Sequence, residues 1–271
     1  HPKLTALWRV SKLLPDSGLA VIYGESGSGK TYLCLDLALH VAAGRDWCGR
    51  RCRPGVVVYI AAENPASAEN RIALWCQRYP ECKGAPLAIL PSAVNLCDPQ
   101  ADLHAIVELL EQIEASFGPI ALVVVDTLAR SMGAGDENSA KDMGAMITAC
   151  DAIRDRFNTL VALVHHSGKD LLKGARGHSS LKAAVDVEIE VSKNAGTHFA
   201  KVTKLRDGAT GTTFAFKLEA AILGHDEDGD EVTACLVADL RQLSETQSAS
   251  RIKLPPAQRV AAASRRSGGT G

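Results

Sequence analysis

Gly24 to Thr31 reads GESGSGKT, placed between the apolar stretch Leu19 to Tyr23 and a leucine-rich run that opens at Tyr32. The octapeptide fits G-x-x-x-x-G-K-[ST] in the strand-to-helix context that gives this pattern its meaning. Gly24, Gly27 and Gly29 let the backbone curl, so that N–H groups along Glu25, Ser26 and Ser28 converge on phosphate oxygens, and the following helix adds the positive end of its dipole. Lys30 then reaches the β- and γ-phosphates, and the Thr31 hydroxyl is a ligand for Mg²⁺. The reading is a nucleotide site of the P-loop class.

Working outward, four more short apolar runs recur at Val56 to Ala61, Leu87 to Leu90, Ile120 to Val125 and Leu160 to Val164, with amphipathic stretches between them. Continuous apolar strands alternating with helices predict an α/β fold whose mainly parallel sheet is covered on both faces. Asn64 caps one helix with Pro65 at its first position. Asp98-Pro99 repeats that start for a helix burying Leu103, Ile106, Leu110, Ile113 and Phe117 along one stripe. Ser139 with Asp142 opens a third through a capping box, and buries Met143, Met146, Cys150, Ile153 and Phe157. After His166 the pattern changes to VDVEIEV, HFAKVTKL, TFAFKLEAAI and EVTACLVADL, four strand-like segments between turn residues, which predict an antiparallel extension of the sheet. The expected organisation is an N-terminal segment (1–18), an ATPase domain (19–240) and a flexible or truncated tail (241–271).

Two carboxylates complete the chemistry. ALVVVD delivers Asp126 at a strand end, where a carboxylate can hold a metal's water shell. Glu63 follows the strand VVVYIAA and so projects from the same sheet edge, which suits a base for the attacking water; an acid favouring the dipole of the Asn64-Pro65 helix is the plainer alternative.

Hydrophobic residues make up 46% and charged residues 23% of 271, so a globular domain is predicted rather than a disordered chain. No apolar run reaches bilayer length and the first residues lack a long apolar core, which leads us to expect a cytoplasmic protein. Eight scattered cysteines read as free thiols, with a zinc pair at Cys48 and Cys52 the weaker alternative. A net charge of −1 excludes a uniformly basic nucleic-acid binder, so any DNA contact must come from local loops.

The order GESGSGKT, YIAAENP, ALVVVDTLAR, ALVHHSGK and RGHSSLKAAVD resembles the RecA-fold P-loop ATPases, and among them the RepA-type plasmid and phage hexameric replicative helicases. The resemblance implies that Glu63 is catalytic, that Asp126 and Thr31 serve the metal, and that one of His165 or His166 senses the γ-phosphate. Strand alternation lets only one face the nucleotide, and the family pattern points to His166; a metal ligand or a packing pair is the other reading. The loop Gly168 to Ser180, with Lys169, Lys173 and Arg176, would contact single-stranded DNA, although a solvated loop has the same composition. Arg130 and MGAGDEN form a candidate second DNA loop.

In VTKLRDG, Lys204 and Arg206 resemble a Lys-x-Arg pair inserted into a neighbouring subunit's nucleotide site, which would put Arg206, ahead of Arg176, in the role of arginine finger. The family's arginine in the strand equivalent to VDVEIEV is absent here. The implied protein is an ATP- and Mg²⁺-dependent ring helicase. A regulatory or loader ATPase of the same fold, and more distantly a small-molecule kinase, compete with it. Without an Asn-Lys-x-Asp stretch, ATP is preferred to GTP.

Overall fold

The computed structural model describes residues 7–98, 102–166 and 179–244. Its strands are β1 (Trp8–Val10), β2 (Leu14–Pro15), β3 (Gly18–Gly24), β4 (Val56–Ala61), β5 (Leu87–Leu90), β6 (Ile120–Asp126), β7 (Leu160–His166), β8 (Val187–Asn194), β9 (Thr197–Leu205), β10 (Thr213–His225) and β11 (Glu231–Gln242). The helices are α1 (Lys30–Ala43), α2 (Pro65–Arg78), α3 (His104–Phe117), α4 (Ala140–Phe157) and α5 (Ser179–Ala184). β1 and β2 form a small antiparallel pair. The other nine strands make one sheet in the order β11-β10-β9-β8-β3-β7-β6-β4-β5.

All five predicted core strands form and run parallel, with β3 at the centre between β7 and β8. Alternation along β3 divides the core: Ala20 and Ile22 pack on the side of α1 and α2, while Leu19, Val21 and Tyr23 pack on the side of α3, α4 and α5. Helix α1 is buried along nearly its whole length because β11 as well as the sheet packs against it. Strand β5 departs from the expected double cover: as the edge strand it is half-buried throughout.

One segment pairs differently from the antiparallel expectation. β8, the VDVEIEV segment, lies parallel to β3, and only β9, β10 and β11 are antiparallel. The connection from β7 to β8 contains α5, and a crossover of that kind brings the chain back to the edge from which it started.

The helix starts are as predicted at two of three positions. The Asn64 side chain accepts from Ser67 N at 3.0 Å, and Ser139 Oγ accepts from Asp142 N at 3.4 Å. The Asp142 carboxylate, however, accepts from Asp136 N at 3.0 Å, so it secures the preceding loop instead of closing a capping box. Helix α3 starts at His104, and the proposed first-turn Pro99 lies outside the described residues. Ile106 and Leu110 are buried as expected, but Phe117 is exposed because the helix ends there, at Gly118, beyond the sheet's cover. Among the described residues no helix is long and apolar enough to cross a membrane.

Candidate nucleotide site

Parallel strands deposit their C-terminal ends along one edge, and the candidate residues collect there. The backbone ladder extends past the strand ends, with Ala62 N donating to Asp126 O at 2.8 Å and Leu128 N to Val164 O at 2.8 Å. Glu63, Asp126, Thr127 and His166 are therefore held beside the phosphate loop.

The loop needs its glycines for space and for backbone conformation. Gly27 and Gly29 take φ values of 74° and 99°, in the left-handed region that side chains resist. A Cβ at Gly24 would run into the Val191 carbonyl, and one at Gly29 would come within 2.8 Å of His198 Nδ1. Lys30 is buried, and its Nζ donates to Gly24 O at 3.0 Å and Glu25 O at 2.8 Å. Burial lowers its pKa, opposed by the charges of Asp126, Glu63 and Glu25. Among the described residues no carboxylate forms an ion pair with this ammonium, so the donor set fits a phosphate anion.

At the end of β6, Asp126 is buried and accepts from Tyr59 Oη at 2.6 Å and from Thr31 Oγ1 at 3.3 Å. Burial raises the Asp126 pKa, and the two hydroxyl donors counter it. A buried carboxylate beside a threonine hydroxyl is the hard oxygen set that fits Mg²⁺. The Asp126-Thr127 peptide is cis.

A second group surrounds Glu63. Its Oε1 accepts from Thr127 Oγ1 at 3.0 Å and stands 3.7 Å from His166 Nε2. On the other side of the imidazole, Nδ1 is 3.4 Å from Lys30 Nζ. Because the ammonium can only donate, Nδ1 is the acceptor and the ring proton sits on Nε2, toward Glu63. His165 points to the opposite face, fully buried, with Nδ1 4.0 Å from Glu137 Oε2. The alternation argument therefore selects the same histidine as the resemblance.

The Lys204 and Arg206 pair is not brought to this edge. β9 runs antiparallel to β8, Leu205 pairs with Val187, and Val187 pairs with Ala20 near the start of β3. Lys204 Nζ donates to Lys182 O at 2.7 Å at the end of α5, and exposed Arg206 pairs with Asp186 at 2.8 Å. Of the predicted DNA loop, Gly168 to His178, with Lys169, Lys173 and Arg176, lie outside the described residues. Arg130 is exposed just beyond β6.

Sequence reasoning passed over Tyr59, Thr127 and Arg71. Arg71, from α2, lies 3.9 Å over the Tyr32 ring and is close enough to Asp126 to act on its charge. The signal for Tyr59 was available: it is two residues before Ala61, the register partner of Asp126, and so lies on the same face.

The sequence profile of the AAA_25 family, described as an AAA domain, matches residues 4–171, more than half of the chain. The chain belongs to this AAA domain family. Among solved structures it is similar to the ATPase domain of a helicase, with a TM-score of 0.56 at 15% identity over 80% of this chain and 84% of that one. It is also similar to the RadB recombinase, with a TM-score of 0.53 at 19% identity over 74% of this chain and 87% of that one. No curated protein matches its sequence. The fold of this family member is that of the RecA-like P-loop ATPases.

Proposed function

We propose that the protein is an ATP-hydrolysing subunit of a ring-shaped DNA helicase or translocase, with nucleotide sites shared between neighbouring subunits. The observation that carries this reading is the division of charge between the two edges of one sheet. Lys30, Thr31, Asp126, Glu63 and His166 stand at one edge, while Lys204 and exposed Arg206 stand at the other, at the far end of β9. Nine extended residues span about 27 Å, so Arg206 cannot serve its own phosphate loop and is placed to serve a neighbour's.

In this reading Lys30 exchanges its carbonyl partners for the β- and γ-phosphates of ATP. Mg²⁺ held by Thr31 and Asp126 supplies charge neutralisation at those phosphates. Glu63, oriented by Thr127, accepts the proton of the attacking water as that oxygen bonds to the γ-phosphorus; the bond to the β–γ bridging oxygen breaks, and ADP and inorganic phosphate leave. His166 lies between Lys30 and Glu63 and reports the presence of the γ-phosphate to the base. Arg206 of a neighbouring subunit would stabilise the charge spread over the transferred phosphoryl oxygens.

The cationic residues of the Gly168 to Ser180 loop follow β7 directly, so a strand of DNA bound by Lys169, Lys173 and Arg176 would lie one short connection from His166. Similarity to a helicase ATPase domain and to a recombinase supports DNA as the partner. The test is steady-state ATPase activity with and without single-stranded DNA, with particle mass measured by light scattering in the same buffer. The reading requires stimulation from a multi-subunit assembly, and a hexamer fits it best. A monomer whose turnover ignores DNA would refute it in favour of a regulatory ATPase.

A further inference from the structure

The phosphate loop rests on a part of the chain beyond the matched family region. His198, at the start of β9, is buried, and its Nδ1 lies 2.7 Å from the Ser28 carbonyl oxygen. The ring stacks on Phe216 of β10, with centroids 5.1 Å apart and planes 20° from parallel. Gly29 packs directly on this pair: a Cβ there would come within 2.8 Å of His198 Nδ1 and 3.4 Å of Phe216 Cε2. Gly24, at the other end of the loop, is pressed against the backbone of Val191 in β8.

Both ends of the phosphate loop thus abut β8, β9 and β10, but only His198 adds a directional bond. A carbonyl oxygen accepts, so His198 must carry its proton on Nδ1. A loop whose amide groups are to surround an anion gains affinity when its conformation is fixed beforehand, because less freedom is lost on binding. Fixing the Ser28 carbonyl orients the Ser28–Gly29 peptide, whose N–H belongs to the loop's anion-facing set.

We propose that His198 is a positioning residue for nucleotide binding, protonated at Nδ1 and locked by Phe216 so that the Ser28–Gly29 peptide is held in its binding orientation. The inference rests on the reading of Gly24 to Thr31 as a nucleotide site. It gives the antiparallel strands a direct part in ligand affinity.

Two substitutions separate the hydrogen bond from the packing. His198→Leu keeps an apolar body of similar size and removes the donor. In His198→Asn the side-chain N–H₂ is attached to Cγ, as Nδ1 is, and restores the donor. Binding of a fluorescent ADP analogue with Mg²⁺, and ATPase KM and kcat, are to be measured for both beside wild type, with thermal melts to verify folding. Loss of one buried hydrogen bond predicts about tenfold weaker nucleotide binding for the leucine variant. Its KM should rise with kcat at saturation nearly unchanged, and the asparagine variant should recover most of the loss. Equal affinity in all three proteins, or equal loss in both variants, overturns the proposal.

Imidazole ¹⁵N shifts of the wild-type protein provide a second test that needs no variant. The proposal requires the Nδ1–H tautomer at His198, and an Nε2–H tautomer refutes it even where the leucine variant does not fold. Lys30→Ala is the control for the underlying reading. If wild type and Lys30→Ala fail alike to bind the analogue, it is the nucleotide site that is wrong.

Discussion

Tyr59→Phe isolates one hydroxyl at the candidate metal site. The phenylalanine keeps the ring in its place in β4, so no cavity is created, and only the 2.6 Å bond to Asp126 Oδ2 is lost. Tyr59 is fully buried and Asp126 nearly so, which leaves solvent no route to replace the donor. A hydrogen bond to a charged acceptor contributes about 1.5–3 kcal/mol. For a domain of this size that corresponds to a fall in melting temperature of roughly 3–12 °C. Because Asp126 also loses an orienting partner, the Mg²⁺ concentration giving half-maximal ATPase activity should rise about tenfold or more. The assays are thermal or urea unfolding without metal and an Mg²⁺ titration of turnover. The same substitution in an Asp126→Asn background should cost only about 1 kcal/mol, because the acceptor is then neutral. Equal costs in the two backgrounds, or an unchanged Mg²⁺ midpoint with unchanged stability, would refute the account of Tyr59 as the residue that orients Asp126.

Three further outcomes follow from the site. Glu63→Gln should leave nucleotide affinity within about threefold while lowering kcat by a factor of about 10² or more, as for a lost general base, and unimpaired turnover in a steady-state assay would remove Glu63 from that role. Arg206→Ala should bind nucleotide normally but turn over slowly; mixed with Glu63→Gln protein it should regain some activity, and no regain in a mixed assembly counts against shared sites. Asp126→Asn should abolish hydrolysis yet stabilise the metal-free protein at neutral pH. Burial raises the Asp126 pKa, so the native state binds its proton more readily than the unfolded chain. Its contribution is favourable below the ordinary carboxylate value of 3.8 and is lost as pH rises through the higher native value. Melts near neutral pH should favour the Asp126→Asn variant by about 1 kcal/mol, or roughly 2–4 °C, with the gap narrowing as the pH falls toward the carboxylate range. A gap independent of pH would show that ionisation of Asp126 is not its cause.

Much of this was legible in sequence because local chemistry decides it. Apolar runs bounded by turns define β3, β4, β6 and β7 almost to the residue, and Asn64-Pro65 starts α2 where capping requires. GESGSGKT, Glu63 and Asp126 follow from strand ends that must share an edge. What was not legible depends on register and on long-range contact. The direction of β8 is set by a crossover, not by its own alternating residues, and VDVEIEV suits either pairing. Tyr59 reads as one more apolar position in VVVYIA until its hydroxyl is found on Asp126. His198 stands 170 positions from Ser28, and no motif links them.

The same contacts bear on how two sites of a ring could communicate. β9 begins with His198 under its own phosphate loop and ends beside Arg206, the group assigned to the neighbouring site. Along its length it is hydrogen-bonded to β8 on one side and, over Phe216 to Thr213, to β10 on the other. A strand paired on both sides resists bending, so displacement at one end is carried largely as a rigid shift to the other. Nucleotide binding that moves the Ser28 carbonyl would act on His198 directly, and through β9 on the segment that bears Arg206. This predicts that His198→Leu, which leaves Arg206 and Asp186 untouched, lowers the cooperativity of ATP hydrolysis as well as raising KM. A Hill coefficient identical to that of a cooperative wild type would confine the influence of His198 to its own loop.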